Sequence, residues 1–357
     1  MSNAANEHTG EKTFLERVLE RGRKERVPLL GTVELTRRCP LACSHCYLGF
    51  DRNTPPDEEL TGEELIGLFD QFRAEGCLFL AFTGGEPLLR KDFREIYLEA
   101  LRKGFLVSIF SGGTLIDQDM ADFFSRYPPF HIDITIPGAT EKTFERITGR
   151  SGSFRQNRKA IELLAERGIP FGLKTVVSCL NRKELGKMKR FARQYGKNFR
   201  FDSQICPQLN GAPDNLRYRL DPREAIRLDL EDERKWGEWK DYICRSGDIN
   251  DTGLLYSCGG GLTSFHVNSR GNLSLCVLDT NFSFDLRKGS FRKAWREFIP
   301  LVRTIRSEPD SPCRGCRLRI FCTNCPAWAR LETGNPEKPV NYLCQIAGIR
   351  DKLMQNE

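Results

Sequence analysis

The chain has 357 residues, of which 39% are apolar and 29% charged, enough for a sizeable core and too apolar for wholesale disorder. The net charge of +7 is spread along the chain without a basic tail, so it does not point to a nucleic-acid partner. The outstanding feature is a total of 14 cysteines.

Strand-like and helix-like segments alternate over roughly the first 200 residues. Strands are predicted at Val33–Thr36, Leu78–Phe82, Val107–Ser111, Ile132–Ile136, Gly172–Val177 and Phe199–Ile205. Helices are predicted at Thr61–Ala74, Asp92–Lys103, Asp117–Tyr127, Phe154–Arg167 and Arg182–Tyr195. The first helix opens with Thr61 and Glu64 in the spacing of a capping box. Six strands alternating with helices predict an α/β fold with a parallel sheet, either open or curled into a partial barrel.

The pattern changes in the second half of the chain. Prolines interrupt a polar stretch after residue 206, and a charged helix is predicted at Arg223–Tyr242. From Cys258 onward cysteines become dense and helical periodicity fades, which is typical of a region held by metal instead of a large core. The predicted division is an N-terminal extension, 1–29; a core, 30–206; a connector, 207–244; a cysteine-rich domain, 245–350; and a tail, 351–357.

The expected cellular compartment limits the roles that these cysteines can have. The polar start MSNAANEHTGEKT is not a signal peptide, and no apolar run approaches the roughly 18 residues of a membrane span. We therefore expect a cytoplasmic protein without a membrane partner, in which clustered cysteines bind metal or do redox work. The alternative, a secreted disulfide scaffold, fits poorly with the long chain and the bunched cysteines.

The first cysteine cluster follows the first predicted strand with C-x3-C-x2-C spacing. It consists of Cys39, Cys43 and Cys46. Three thiolates on one loop can hold three irons of a four-iron cluster and leave the fourth iron open, unlike the four cysteines of a ferredoxin cluster. A zinc site with His45 is the alternative, disfavoured because His45 lies between two of the cysteines, which hinders tetrahedral closure.

A second motif follows the second strand, in the segment Gly84-Gly85-Glu86-Pro87. Two glycines allow the backbone to approach a ligand closely, and Glu86 offers a carboxylate to a cation. An ordinary strand-to-helix turn would also explain these residues. Their place one strand after the cysteine loop, on the same predicted face, favours a ligand site.

With these two motifs the sequence resembles the radical SAM superfamily. The resemblance implies a partial (βα)6 TIM-like barrel over about residues 30–205, and a four-iron cluster whose open iron binds S-adenosylmethionine. In that family the cluster cleaves this cofactor reductively, and the resulting 5′-deoxyadenosyl radical abstracts hydrogen from a substrate. An electron donor such as flavodoxin or ferredoxin is therefore expected as a partner.

The resemblance also implies contacts to S-adenosylmethionine. They are Gly84, Gly85 and Glu86 for the ammonium group, Tyr47 for the adenine, and Ser111 and Thr135 for the carboxylate and ribose. The chain has Phe-Ser-Gly-Gly-Thr where many members have Thr-Asn-Gly-Thr, and Thr135 where many have Ser. Arg146 and Arg150 are alternatives for an arginine that pairs with the carboxylate.

Seven further cysteines form a second set. They are Cys258, Cys276, Cys313, Cys316, Cys322, Cys325 and Cys344. A zinc ribbon is the alternative, but five residues between its C-x2-C pairs are fewer than the 15–20 usual there. The pattern resembles the SPASM extension, which holds two auxiliary iron–sulfur clusters in many radical SAM enzymes. One common form of that motif has three residues between its last paired cysteines, where this chain has two.

The resemblance assigns Cys258, Cys276 and Cys325 to a first auxiliary cluster, and Cys313, Cys316, Cys322 and Cys344 to a second. The first cluster then lacks a fourth cysteine. Either Cys244 completes it or the site stays open to substrate.

Four cysteines remain outside the two sets. Cys77 and Cys179 are expected to be buried small apolar residues. Cys206 and Asp202, near the end of the sixth strand, face the predicted site. Asp202 is a possible acid/base group or substrate contact, with a turn cap or an arginine partner as the alternative.

SPASM-bearing enzymes mostly modify peptides, and auxiliary clusters suit net oxidations because they can accept a second electron. We therefore expect an oxidative peptide or protein maturase. About 30 residues precede the first strand, too few for the peptide-recognition domain of several such enzymes. Either a separate protein delivers the peptide, or the substrate is recognised differently. The alternatives are a tetrapyrrole or other small-molecule substrate, an iron–sulfur electron carrier, and a nucleic-acid-binding zinc protein.

Overall fold

Six parallel strands form the first part of the structure, a computed structural model that describes residues 14–49, 55–197, 199–246, 252–323 and 325–355. The strands are β1 (Leu30–Thr36), β2 (Phe79–Gly84), β3 (Leu106–Ser111), β4 (His131–Thr135), β5 (Phe171–Val176) and β6 (Phe199–Asp202). Each pairs in parallel with the next strand along the chain. The predicted α/β fold with a parallel sheet is confirmed, and each predicted strand overlaps an observed one.

One helix precedes β1, and the others connect the strands. They are α1 (Phe14–Glu25), α2 (Gly62–Ala74), α3 (Phe93–Arg102), α4 (Gln118–Arg126), α5 (Glu141–Thr148), α6 (Ser153–Glu166) and α7 (Leu185–Gln194). The predicted capping box at the start of α2 is present, with Thr61 and Glu64 bonded to each other's backbone N–H groups. The eight-residue helix α5 was not predicted from the sequence.

Side chains alternate between the two faces of the strands. On β4, Ile132 and Ile134 are fully buried among the helices, and on β5 Leu173 is as well. Their neighbours along the strands, Asp133 and Lys174, lie on the opposite, inner face of the curved sheet. The apolar face holds the helices in place, and the inner face carries polar groups.

The cysteine-rich region continues the same sheet. It contributes β7 (Ser264–Val267), β8 (Asn272–Ser274) and β9 (Phe284–Asp285), which were not predicted. Strand β7 pairs in parallel with β1, and β8 and β9 follow antiparallel, so the strand order is β6-β5-β4-β3-β2-β1-β7-β8-β9. The cysteines near β8 are thereby attached directly beside β1.

The prediction of one continuous helix over Arg223–Tyr242 is wrong. The chain forms α8 (Pro222–Leu230) and α9 (Glu233–Ser246), separated at residues 231–232. The side chain of Asp232 accepts a hydrogen bond from the Lys235 N–H at 3.2 Å, which starts a new helix.

The remaining helices lie in the C-terminal region. They are α10 (Phe291–Lys293), α11 (Ile299–Arg303), α12 (Pro326–Thr333) and α13 (Asn341–Met354), with a π-helical segment, Ala294–Phe298, joining the first two. Helix α13 packs on α8, and Arg350 lies buried 3.6 Å from the Asp229 carboxylate. None of the described helices is long and apolar enough to cross a membrane.

Candidate active site at the carboxyl edge of the strands

The cysteine loop, residues 37–46, begins where β1 ends. It contains the three cysteines of the first motif, all partly exposed: Cys39, Cys43 and Cys46. The N–H groups of Ala42 and Ser44 donate to the carbonyls of Thr148 and Ile147 at 2.7 and 2.9 Å, at the end of α5. This helix, absent from the sequence prediction, therefore fixes the middle of the loop.

The glycines at the end of β2 lie against the start of that loop. The Gly85 N–H donates to the Thr36 carbonyl at 2.8 Å, and the Glu86 N–H donates to the Arg38 carbonyl at 3.0 Å. A Cβ atom would lie 1.9 Å from the Thr36 oxygen if placed on Gly84 and 2.4 Å from the Arg38 oxygen if placed on Gly85. Both positions require glycine because the turn packs directly on the backbone of the cysteine loop.

Glu86 is a buried carboxylate whose partners are neutral. Ser111 Oγ donates to its two oxygens at 2.9 and 3.0 Å, and the Gly112 N–H donates at 2.8 Å. Burial raises the pKa of Glu86 to about 7. Among the described residues, no lysine, arginine or histidine forms an ion pair with it. A ligand ammonium would complete this arrangement, so the site fits S-adenosylmethionine.

The thiols are not arranged for a single metal ion. In the described residues, no three His, Cys, Asp or Glu side chains converge as one ion would require. Zinc gathers its ligands around one centre, whereas the cysteines of a four-iron cluster bind different irons and stand farther apart. Cluster ligation by the three cysteines of the loop stays a prediction.

The other predicted contacts lie around the same edge. Tyr47 follows the third cysteine, is half-buried, and has its pKa raised by burial and by the charges of Glu34 and Cys46. Thr135 ends β4 and lines a cavity inside the curved sheet. Arg146 is exposed on α5, and Arg150 is half-buried just beyond it. Ligand contacts of all four stay predictions.

The seven C-terminal cysteines fall into two groups of neighbours: Cys258, Cys276 and Cys325, and Cys313, Cys316, Cys322 and Cys344. Burial and then the charge of Cys325 raise the pKa of Cys276 to about 12, and the charge of Cys258 adds to the effect of burial on Cys325. Burial and the charges of the other three members raise the pKa of Cys313 to about 11. The groups have the same members as the two sets implied by the SPASM resemblance; ligation by them stays a prediction.

Cys206 lies beside the first of these groups. Burial raises its pKa to about 11, with further contributions from the charges of Asp202 and Cys325. Asp202 accepts a hydrogen bond from the Gln204 N–H at 2.9 Å, which is the turn-capping alternative considered for it. Cys244 lies on α9, but its side chain is outside the described residues.

The two remaining cysteines differ from each other. Cys77 is buried as predicted, and burial raises its pKa to about 12. The prediction that Cys179 is buried is wrong, because it is exposed. Strand β5 ends at Val176, and Cys179 lies in the following surface turn, where its N–H donates to the Tyr218 carbonyl at 3.0 Å.

Sequence reasoning missed the charged groups inside the curved sheet. Asp133 on β4 pairs with Arg200 on β6 and lies 3.9 Å from Lys174 on β5. On the other side, the fully buried Glu34 accepts a hydrogen bond from Arg37 and lies 3.4 Å from His266. The alternation of apolar and charged residues along β4 and β5 could have revealed these groups, because it places the charges on one face of the sheet.

Comparison with known proteins identifies the family. Residues 33–192 match the Radical SAM superfamily. The PqqA peptide cyclase of Gluconobacter oxydans is 30% identical over 343 residues, which cover 92% of this chain and 93% of that protein. The chain therefore belongs to the radical SAM superfamily.

Other similar proteins are a maturation protein, a heme synthase and an enzyme crystallised with a precursor peptide. The sporulation killing factor maturation protein SkfB of Bacillus subtilis is 24% identical, over 91% of this chain and 75% of that protein. The AdoMet-dependent heme synthase of Methanosarcina barkeri is 25% identical, over 86% and 94%. The crystal structure of Streptococcus suis SuiB bound to precursor peptide SuiA has a TM-score of 0.68 and 16% identity over 94% and 82% of the two chains, a likeness of fold.

Family membership makes this protein an enzyme with radical SAM chemistry. It implies one four-iron, four-sulfur cluster and S-adenosylmethionine. The alternatives of an iron–sulfur electron carrier and a zinc protein are thereby excluded.

Proposed function

We propose that the protein is an oxidative peptide or protein maturase of the radical SAM class. The observation that carries the proposal is the similarity to PqqA peptide cyclase along nearly the whole of both chains. The relationship to a maturation protein and the shared fold with a peptide-bound enzyme support it.

The carboxyl edge would carry the radical-forming site. Its proposed cluster ligands are Cys39, Cys43 and Cys46, and its proposed cofactor contacts are Tyr47, Gly84, Gly85, Glu86, Ser111 and Thr135. Cluster and cofactor together supply a carbon-centred radical that abstracts hydrogen. Within the chain, Glu86 would bind the ammonium group, and Ser111 would orient the Glu86 carboxylate through the two hydrogen bonds it already donates.

We further propose that the C-terminal region is a SPASM domain. Its two cysteine groups would hold two auxiliary clusters, which supply an acceptor for the second electron of a net oxidation. The closeness of the cysteines within each group supports this assignment. Two partners belong to the proposal: an electron donor of the flavodoxin or ferredoxin type, and a separate peptide-binding protein.

A tetrapyrrole substrate is the second candidate. It is favoured by the similarity to the AdoMet-dependent heme synthase of Methanosarcina barkeri, which covers 94% of that protein. The radical-forming site would be the same, and only the substrate would differ.

Anaerobic reconstitution tests the cofactor assignments. Three four-iron clusters correspond to about 12 irons per chain. Replacing Cys39, Cys43 and Cys46 together by Ala should remove about a third of the iron and abolish release of 5′-deoxyadenosine, whereas the double variant Cys77→Ala/Cys179→Ala should do neither. Zinc without iron in the reconstituted wild type would refute the cluster assignments.

Mass spectrometry tests the substrate. The enzyme is co-expressed with a short precursor peptide encoded beside its gene, and the peptide is examined for loss of hydrogen mass and a new cross-link. An unmodified peptide, together with turnover of a porphyrin by the same preparation, would favour the tetrapyrrole candidate.

A further inference from the structure

A cavity of about 340 Å³ lies on the inner face of β3 to β6. Its inner wall is formed by Phe110, Asp133, Thr135, Lys174, Arg200 and Asp202. The strand register pairs Phe110 with Asp133, and Lys174 with Arg200, on neighbouring strands. Lys174 and Arg200 therefore stand side by side, and Asp133 stands opposite Gly172, two residues before Lys174.

Asp133 is the centre of this group. Its side chain is 5% exposed, forms an ion pair with Arg200, and lies 3.5 Å from His131 and 3.9 Å from Lys174. These neighbours lower its pKa to about 2 although burial acts in the opposite direction. Gly172 leaves the necessary room, because a Cβ atom there would lie 2.8 Å from His131 Nε2.

The charges around Asp133 do not balance. Lys174 and Arg200 bring two positive charges to the Asp133 carboxylate, and in the described part of the chain neither forms an ion pair with another acid, the Asp202 carboxylate of the cavity wall included. The Lys174 ammonium lies 3.7 Å from the centre of the Phe110 ring, which holds it in the cavity. Burial, together with the charge of Arg200, lowers the pKa of Lys174 despite the attraction of Asp133. An additional anion would restore the balance.

The cavity adjoins the carboxyl edge of the strands. This edge is the reacting edge, because it carries the proposed radical-forming site. Thr135 and Asp202 are the last residues of their strands, at the edge that carries the cysteine loop and Glu86. Lys174 and Arg200 pair in register with Thr135 and lie two residues before the ends of β5 and β6, so they stand level with the end of β4. A group bound to both cations would lie beside the end of β4, at the reacting edge.

We propose that Lys174 and Arg200 bind a carboxylate of the substrate and thereby place the adjoining carbon chain at the reacting edge. This inference rests on the proposed function, and it names an acidic residue of the peptide as the bound group. A propionate of a tetrapyrrole has the same chemistry, so the experiment includes both sources.

The test uses the full-length, reconstituted enzyme with S-adenosylmethionine under anaerobic conditions. A displayed library of random peptides is selected for binding, and we expect Asp or Glu to be enriched at one position. A selected peptide is then compared with its counterpart carrying Gln or Asn there. Wild type should prefer the acid by about 10- to 100-fold in Kd, the range of a charge-assisted hydrogen bond.

Three variants show whether this preference depends on the proposed residues. Lys174→Met and Arg200→Gln should each reduce it to about threefold or less, whereas Lys174→Arg should retain most of it. Lys189→Met is the matched control, because Lys189 also pairs with a carboxylate and lies over a ring, Phe201, but does not itself line the cavity. It should keep the full preference. Iron content and circular dichroism verify that each variant is folded; Arg200 is half-exposed, so its replacement perturbs the fold least.

The outcomes separate this inference from the proposed function. Peptides without an acidic position, or an acid preference that survives in both Lys174→Met and Arg200→Gln, would overturn the carboxylate site while leaving a peptide substrate in place. If no peptide binds but mesoporphyrin binds and loses at least tenfold in Lys174→Met, the peptide function fails and the carboxylate site stands. Binding of neither probe overturns both.

Discussion

The environment of Glu86 illustrates how a single residue connects fold and chemistry. The residue is 1% exposed, and its carboxyl group is held by Ser111 Oγ and by the N–H groups of Gly112 and Leu88. Neutral donors stabilise a buried negative charge less than a cation does. Ionising the buried Glu86 carboxyl group therefore costs free energy, and a bound ammonium group would remove that cost.

We predict a pH dependence from this cost. The folded pKa of Glu86 is about 7, above the ordinary value of 4.5, so between these values the native state binds more protons than the unfolded state. The stability of the reconstituted protein without S-adenosylmethionine should fall relative to Glu86→Gln as pH rises from 5 to 8, by about 3 kcal/mol.

Urea unfolding at several pH values measures this difference. The exposed Glu63, replaced by Gln, serves as the control and should follow wild type throughout. Parallel pH profiles of wild type and Glu86→Gln would contradict the argument. Added S-adenosylmethionine should stabilise wild type more than the variant, because only wild type offers a carboxylate to the ammonium group.

At the scale of elements, the turn after β2 and the cysteine loop after β1 act as one unit. Backbone hydrogen bonds from Gly85 and Glu86 join them, and α5 supports the loop from the other side. We predict that Gly85→Ala displaces the loop, since its Cβ would lie 2.4 Å from the Arg38 carbonyl oxygen. The cost should be about 1–3 kcal/mol of stability, with weaker binding of S-adenosylmethionine.

Gly67→Ala provides the comparison for this substitution. Gly67 is exposed inside α2, and a Cβ atom there meets nothing within 4 Å. Alanine at this site should stabilise the protein by up to about 1 kcal/mol, because glycine is a poor helix former. Equal melting temperatures and cofactor affinities for the two variants would show that the turn does not press on the loop.

At the scale of the whole molecule, the barrel and the cysteine-rich region share a core as well as a sheet. Phe265 on β7 lies 4.9 Å from Phe72 on α2 and 4.7 Å from Phe291 on α10, measured between ring centres. These buried rings connect a barrel helix to the C-terminal region. The two regions are therefore expected to unfold together.

We predict that Phe265→Ala destabilises both regions by about 3–5 kcal/mol, the usual cost of removing a buried phenylalanine. Far-UV circular dichroism and tryptophan fluorescence, to which Trp295 beside this ring contributes, should show one shifted transition. Phe130→Ala, at a ring that is 54% exposed, should change stability by about 1 kcal/mol or less. Two separate transitions in the Phe265 variant would mean that the regions fold independently.

The sequence was most informative where chemistry depends on local spacing. The residues within each motif, the three cysteines of the loop and the Gly84–Pro87 turn, lie close together in the sequence, so each pattern is visible without the fold. Strands and long amphipathic helices were also recognisable, because their periodicities follow from local backbone geometry. Short elements such as α5, β8 and β9 left no such signal.

What the sequence by itself determined was the parallel α/β core and the membership of a cysteine-based, cofactor-cleaving enzyme class. Tertiary structure alone decided how other distant segments meet: β7 beside β1, and Lys174 and Arg200 around Asp133. The physical reason is that these contacts depend on strand order, register and burial, which arise only when the whole chain packs.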